Sequence, residues 1–170
     1  MDSTAAALRV HRFLETEPVI WLSSIRGDGA PHLVPTWFMW DGESIIIRSK
    51  PHARKVRNLA NDPRAMVALG DADDDFDVGL LEARAQVTGV GDGEGAPSAL
   101  PDAFVAKYRD RIAALGITPA EFAATYSATI RLTPARALGW HGRSTPRSWL
   151  DAVRRLAFGR PAAAPAFSGA

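Results

Sequence analysis

The residues best suited to chemistry lie between 29 and 63, in GAPHLVPTWFMWDGESIIIRSKPHARKVRNLANDP. Within this stretch Arg48, Ser49, Lys50, Arg54, Lys55 and Arg57 crowd the end of an apolar strand and the first turns of a helix. Backbone N–H groups at a helix N-terminus point outward, and cations beside them add charge-assisted hydrogen bonds, so the arrangement suits a phosphate. The same residues also make an ordinary solvated helix face, because Lys and Arg are good helix formers. Thr36, Trp37, Phe38, Met39 and Trp40 come just before the cluster and would set a flat apolar surface beside it, as a ring-plus-phosphate cofactor requires. Alternatively, Trp37 and Phe38 face opposite sides of a strand and fill two cores.

Other candidate motifs fall away on inspection. Asp71, Asp73, Asp75, Asp77 and Glu82 match several ligand positions of a calcium loop, but Phe76 stands where that loop needs Gly and the flanks read as strands. His11, His32, His52 and His141 are scattered without metal-ligand spacing, so no metal site is expected; only His52 adjoins the basic cluster. Gly89, Gly91, Gly93 and Gly95 lack dinucleotide-fold spacing and read as a loop. No Ser-His-Asp order or carboxylate pair stands out, so no catalytic residue is assigned, and any catalysis falls to a bound cofactor.

Composition narrows the classes further. A formal net charge of +1, with 23% charged residues of mixed sign, gives no global field for nucleic acid or an acidic membrane surface, so anion recognition must be local. Cysteine is absent, which excludes disulfides, thiolate metal sites and cysteine nucleophiles. Asp2, Arg9, His11, Arg12 and Glu15 interrupt any apolar core of a secretory signal, and no apolar run approaches the roughly 20 residues of a membrane span, so a cytoplasmic protein is expected.

The elements that must position these residues follow from period and punctuation. Ser3 or Thr4 opens a helix that ends before Pro18. Segments 18–26, 31–40 and 43–49 are rich in β-branched and aromatic residues and are joined by GDGA and DG, which predicts an antiparallel meander. A short helix over 51–60 turns Ala53, Val56, Leu59 and Ala60 inward and a basic face outward. Strands follow at 64–70 and 78–90, helices at about 98–115 and 119–125, and a strand at 127–142 in which Pro134 marks a bulge or edge. Ile45, Ile46 and Ile47 are apolar in sequence, so strand 43–49 is covered on both faces, with a partner subunit available as the second cover. About six strands with sparse helices make a mainly β (α+β) domain over 1–142, closed or nearly closed into a barrel. Residues 143–170 divide into a basic amphipathic helix at 147–158 and a disordered tail.

The run VIWLSSIRGDGAPHLVPTWFMWDGESIIIRSKPHARKVRNLANDPRAMVAL resembles the split β-barrel flavin and deazaflavin oxidoreductases, the superfamily of pyridoxamine 5′-phosphate oxidase. More narrowly it resembles the actinobacterial branch that depends on coenzyme F420. The later AKYRDRIAALGITPAEFAATYSATIRLTPARALGW is similar to the helical insert and last strand of that branch. The resemblance implies a homodimer of FMN-binding-like split barrels with cofactors in grooves at the interface. It places Val34, Pro35, Thr36 and Trp37 beside the tricyclic ring, and Arg48, Ser49, Lys50 and Lys55 around the phosphate. Arg54 and Arg57 would serve the phosphate or the acidic oligoglutamate tail of the deazaflavin, and Trp140 would reach the partner's site. It further implies hydride transfer between F420, or alternatively FMN, and a small unsaturated or heteroaromatic substrate, a non-catalytic planar-ligand carrier being the other alternative. Where members often carry E-G-x-A, this chain has Glu82-Ala83-Arg84-Ala85.

Overall fold

In the computed structural model, residues 3–71, 77–89 and 99–140 are described. The segment 143–170, with its expected helix and tail, lies outside them, as does most of the acidic loop. Helix α1 (Ser3–Thr16) leads into β1 (Ile20–Ile25), β2 (Pro31–Thr36), β3 (Met39–Trp40) and β4 (Ile45–Ser49). Helix α2 (Arg54–Asn61) precedes β5 (Arg64–Asp71) and β6 (Asp77–Thr88), then come α3 (Asp102–Ala114), α4 (Pro119–Thr125) and β7 (Ala128–Trp140). All seven strands join one antiparallel sheet in the order β2-β1-β5-β6-β7-β4-β3.

That order corrects the meander expected for 18–49. The stretch 31–40 is two strands, β2 and β3, and they form opposite edges of the sheet. Only Trp37 and Phe38 connect them, and the three steps from Thr36 to Met39 span at most about 11 Å. The sheet must therefore curl until its edges meet at that point. β3 is two residues long and pairs Met39 with Ile46 and Trp40 with Ile45, so among the described residues Ile47–Ser49 of β4 has no strand on that side. No ladder joins it to β2, and the curled sheet keeps a seam between these two free edges. Pro31 and Pro35 suit the edge strand β2, where a missing N–H breaks no ladder.

The barrel interior is filled by Ile20 and Leu22, Ile45 and Ile47, Val67 and Leu69, Leu81 and Ala83, and Ala128, Ile130 and Leu132, with Phe38 among them. Helix α1 closes one end with Val10, Phe13 and Leu14. Its approach requires glycine: a Cβ on Gly79 would lie 2.8 Å from Val10 Cγ2, and one on Gly70, at φ +95°, would lie 2.9 Å from Phe13 Cζ. Val56 and Leu59 of α2 also enter this core, but Ala60 is exposed and Asn58 is buried in its place. The reason is polar: Asn58 Nδ2 donates to Ser24 Oγ at 3.0 Å. β7 carries the bulge expected at Pro134, since Ala83 opposes Pro134 and Glu82 opposes Arg136, leaving Ala135 over.

A second apolar cluster packs Leu100, Phe104, Tyr108 and Ile112 with Phe122 and Ala123, against Trp37 and Met39. Here the same chain supplies cover for the outer face of β3 and β4, the second cover for which a partner subunit was the available source. Among the described residues no helix is long and apolar enough to cross a membrane.

Candidate anion and cofactor site

Strand alternation divides the residues gathered by sequence into two groups. Ile45 and Ile47 face the barrel core, so Ser49 faces inward with them, whereas Ile46, Arg48 and Lys50 face the opposite way. Arg48 is 6% exposed and turns to the helical insert, where Nη1 donates to Thr129 Oγ1 at 2.7 Å and Nη2 to the Ala123 carbonyl at 3.4 Å. Lys50 is exposed, with Nζ 5.7 Å from the centre of the Tyr126 ring. Trp37 lies on this side too, stacked on Tyr108 at 4.8 Å and on Phe122 at 5.7 Å. Trp37 and Phe38 thus enter the two different clusters. Arg48, Lys50 and Trp37 are not brought together with Ser49 and Lys55.

Tyr108 fixes this division. Its hydroxyl accepts from the Phe38 N–H at 2.9 Å and lies 2.7 Å from the Phe38 carbonyl and 2.8 Å from that of Pro18, to one of which it donates. Burial pushes its phenol up to about 12. The Phe38 N–H is thus satisfied by a side chain from α3, so the chain leaves β2 without needing a ladder acceptor there.

The second group gathers where the seam meets α2. On β2, Pro31, Leu33 and Pro35 are exposed, while His32 and Val34 are half-buried and Thr36 is buried. These three stand opposite Ser24, Leu22 and Ile20 respectively, on the inner face. Ser49 is 1% exposed, and its Oγ has no hydrogen-bond partner among the described residues. His32 Nδ1 is likewise buried without a partner. Lys55 departs from the outward basic face expected of α2: it is half-buried, burial lowers its pKa, and it makes no ion pair or hydrogen bond among the described residues. Buried polar groups are ordinarily satisfied, and a desolvated cation ordinarily has an anion. Lys55, Ser49 and His32 therefore fit the anionic part of a ligand held at the end of the seam.

Beside them a cleft of about 270 Å³ opens between the β1–β2 turn and α2, lined by Arg26, Gly27, Asp28, Arg54, Arg57 and Asn58. Arg54 and Arg57 are exposed there, Arg57 Nη1 donating to the His52 carbonyl at 3.1 Å. His52 itself is exposed at the head of the helix. Sequence analysis missed Arg26, His32, Ser24 and Asn58. RGDG marked the turn that brings Arg26 beside α2, but nothing local announces the pairing of Asn58 with Ser24. Trp140 ends β7 opposite Val78, and Arg84 is exposed opposite Arg64 and Thr133. Among the described residues, no group of three or more His, Asp or Glu side chains is placed to hold a metal ion.

A seven-stranded curled antiparallel sheet with an open seam and a helical insert narrows the possible families, and the model of one of them, pyridoxamine 5′-phosphate oxidase, matches residues 9–141. The chain belongs to the pyridoxamine 5′-phosphate oxidase family. Its fold is the split β-barrel of that superfamily, which includes oxidoreductases. Among solved structures the chain is similar to an F420 reductase at 22% identity and a TM-score of 0.58, over 75% of this chain and 94% of that one. It is also similar to a conserved hypothetical protein from Mycobacterium tuberculosis, at 22% identity and a TM-score of 0.59, over 84% and 86% of the two chains. The heme storage protein HutZ from Vibrio cholerae aligns at 15% identity with a TM-score of 0.55, over 78% and 93%. At these identities the likeness is one of fold. No curated protein matches the chain.

Proposed function

We propose that this family member binds a planar cofactor with an anionic side chain along the seam and acts as a coenzyme F420-dependent oxidoreductase, FMN being the alternative cofactor. The observation that carries the proposal is Lys55, a half-buried cation with no acidic partner among the described residues, in the helix that follows β4, whose last residue, Ser49, has a buried Oγ with no hydrogen-bond partner among the described residues. In this reading Lys55 and Ser49 bind the phosphate, while Val34, Pro35 and Thr36 line the ring from the free edge of β2. The basic cleft at Arg54 and Arg57 offers positions for the carboxylates of an acidic tail, which favours the deazaflavin over FMN. The chemistry supplied by a bound deazaflavin is hydride transfer to or from a small unsaturated or heteroaromatic compound. The chain's own part is to orient the ring against β2 and to exclude water.

A homodimer completes the proposal. Trp21, Leu33 and Met66 are 50%, 58% and 39% exposed, and they stand on one outward face, Trp21 opposite Pro35 and Ala68, Ser23 opposite Leu33 and Met66. Such a contiguous apolar face suits a second copy, which would bring another chain beside the seam.

The test is equilibrium binding of oxidised F420 and of FMN to the wild type and to Lys55→Ala, with sedimentation equilibrium on the same samples. Tight F420 binding that is lost in the variant, on a dimer, supports the proposal. Binding of FMN alone transfers the site to the flavin, binding of neither removes the cofactor model, and a monomer at micromolar concentration removes the pairing. Tight binding without turnover over a broad acceptor panel would identify a carrier of planar ligands.

A further inference from the structure

His32 is a titratable group at the seam whose protonation has no part in the proposed function above. It stands directly opposite Ser24 in the β1–β2 ladder, and so on the face that α2 covers through the Asn58–Ser24 hydrogen bond. Its Nδ1 is buried and has no hydrogen-bond partner among the described residues. Two elements face it. The end of β1 brings Arg26, and the first turn of α2 brings Arg54 and Lys55. The nearby acid, Asp28 in the β1–β2 turn, is held by Arg26 at 2.6 Å, and His52 at the head of α2 is exposed.

We propose that His32 is a ligand of the anion bound at this site and holds it as the imidazolium, so that loading the site takes up a proton. The inference rests on the anion-binding reading of Lys55 and Ser49. In the free protein, burial first and then the charges of Arg54, Lys55 and Arg26 keep the imidazole below its usual value of 6.5, so it is neutral at pH 7. An anion set among those cations reverses the local field and gives the buried nitrogen an acceptor. The charged imidazole then becomes the favoured form. The proton comes from solvent and sits on His32; no other bond forms or breaks. By linkage, the association constant falls as pH rises, with a slope equal to the number of protons taken up.

The experiment is isothermal titration calorimetry of the full chain with F420 and with FMN at pH 8, in buffers of different ionisation enthalpy. At that pH the phosphate monoester of FMN, with its second pKa near 6, is already the dianion, and the phosphodiester of F420 has no second proton, so any proton taken up goes to the protein. The expected result is a net uptake of protons by the wild type, bounded by about one per site. In His32→Gln the uptake should vanish and affinity at pH 6.5 should fall about tenfold, as for loss of a charged hydrogen bond. His52→Gln should keep the wild-type uptake. An NMR titration of the His32 ring in wild type, with and without cofactor, reads the same quantity without any variant, as an upward shift of its midpoint on binding. Binding with no proton uptake, uptake that survives His32→Gln, or an unmoved midpoint overturns the proposal while leaving the anion site intact. A wild type that binds neither cofactor overturns both.

Discussion

Replacing Lys55 by Met separates the fold from the site in one variant. Methionine keeps an unbranched side chain of similar reach and removes the charge. Lys55 is half-buried and has no counter-ion among the described residues, so its ammonium opposes folding in the free protein. Because the group is partly exposed, the effect is modest: Lys55→Met should stabilise the ligand-free protein by about 0.5–1 kcal/mol, or about 1–4 °C in Tm for a chain of this size. The pH dependence has a defined sign. A lysine whose folded pKa lies below its value of 10.5 in the unfolded chain destabilises fully at neutral pH, and that cost fades as pH rises from the folded pKa toward 10.5. The advantage of the variant should shrink over that alkaline window. With cofactor at a hundred times its Kd the order inverts, because ligand stabilises the wild type by about 2.7 kcal/mol, roughly 5–10 °C, and the variant hardly at all. Differential scanning fluorimetry with and without F420 or FMN reads both effects. A ligand-free variant less stable than wild type by more than about 1 kcal/mol would show that the ammonium anchors the fold, and would refute the reasoning.

Tyr108→Phe should cost about 1–3 kcal/mol in chemical denaturation, because the Phe38 N–H is left buried without its acceptor; an unchanged midpoint would mean that water replaces the hydroxyl. Asp77 receives hydrogen bonds from Arg9 and Arg12, which tie α1 to the start of β6. Burial alone would raise its carboxyl, but the two guanidiniums bring it below 3.8, so its contribution is present above that pH and is lost as pH falls through the lower folded value. Asp77→Asn should therefore lower stability by about 1–2 kcal/mol at pH 7, and the gap from wild type should close in strong acid.

Much of the fold was legible because its elements carry local signals. The β-branched runs gave β1, β4 and β7, Asn61-Asp62-Pro63 stopped α2, and Thr118-Pro119-Ala120-Glu121 is a capping box that forms as written, Thr118 Oγ1 accepting from the Glu121 N–H and Glu121 from that of Thr118. The break of 31–40 into two strands was not legible. Trp37 and Phe38 are good strand formers, and what separates β2 from β3 is a hydroxyl seventy positions along the chain. The site divides the same way. Spacing put Lys55 and Ser49 among the candidates, but a sequence cluster cannot say that Arg48 and Ser49, as neighbours in a strand, must serve opposite faces. His32 was passed over because its environment is built by α2 and the β1–β2 turn, neither of which is next to it in sequence.

The helical insert and the seam are consequently one device. Arg48, on the outer face of β4, donates to the Ala123 carbonyl of α4, and the Tyr108 hydroxyl of α3 accepts from the Phe38 N–H. The second contact withholds a backbone donor that a continuous barrel would otherwise use. With Phe38 held by α3, β3 is confined to two residues, and Ile47–Ser49 keeps its free edge toward β2. The free edge that ends at Ser49 thus depends on side chains that point away from it. Loosening the insert should weaken ligand binding as well as stability, even though neither Tyr108 nor Arg48 lies on the ligand's side of the strand.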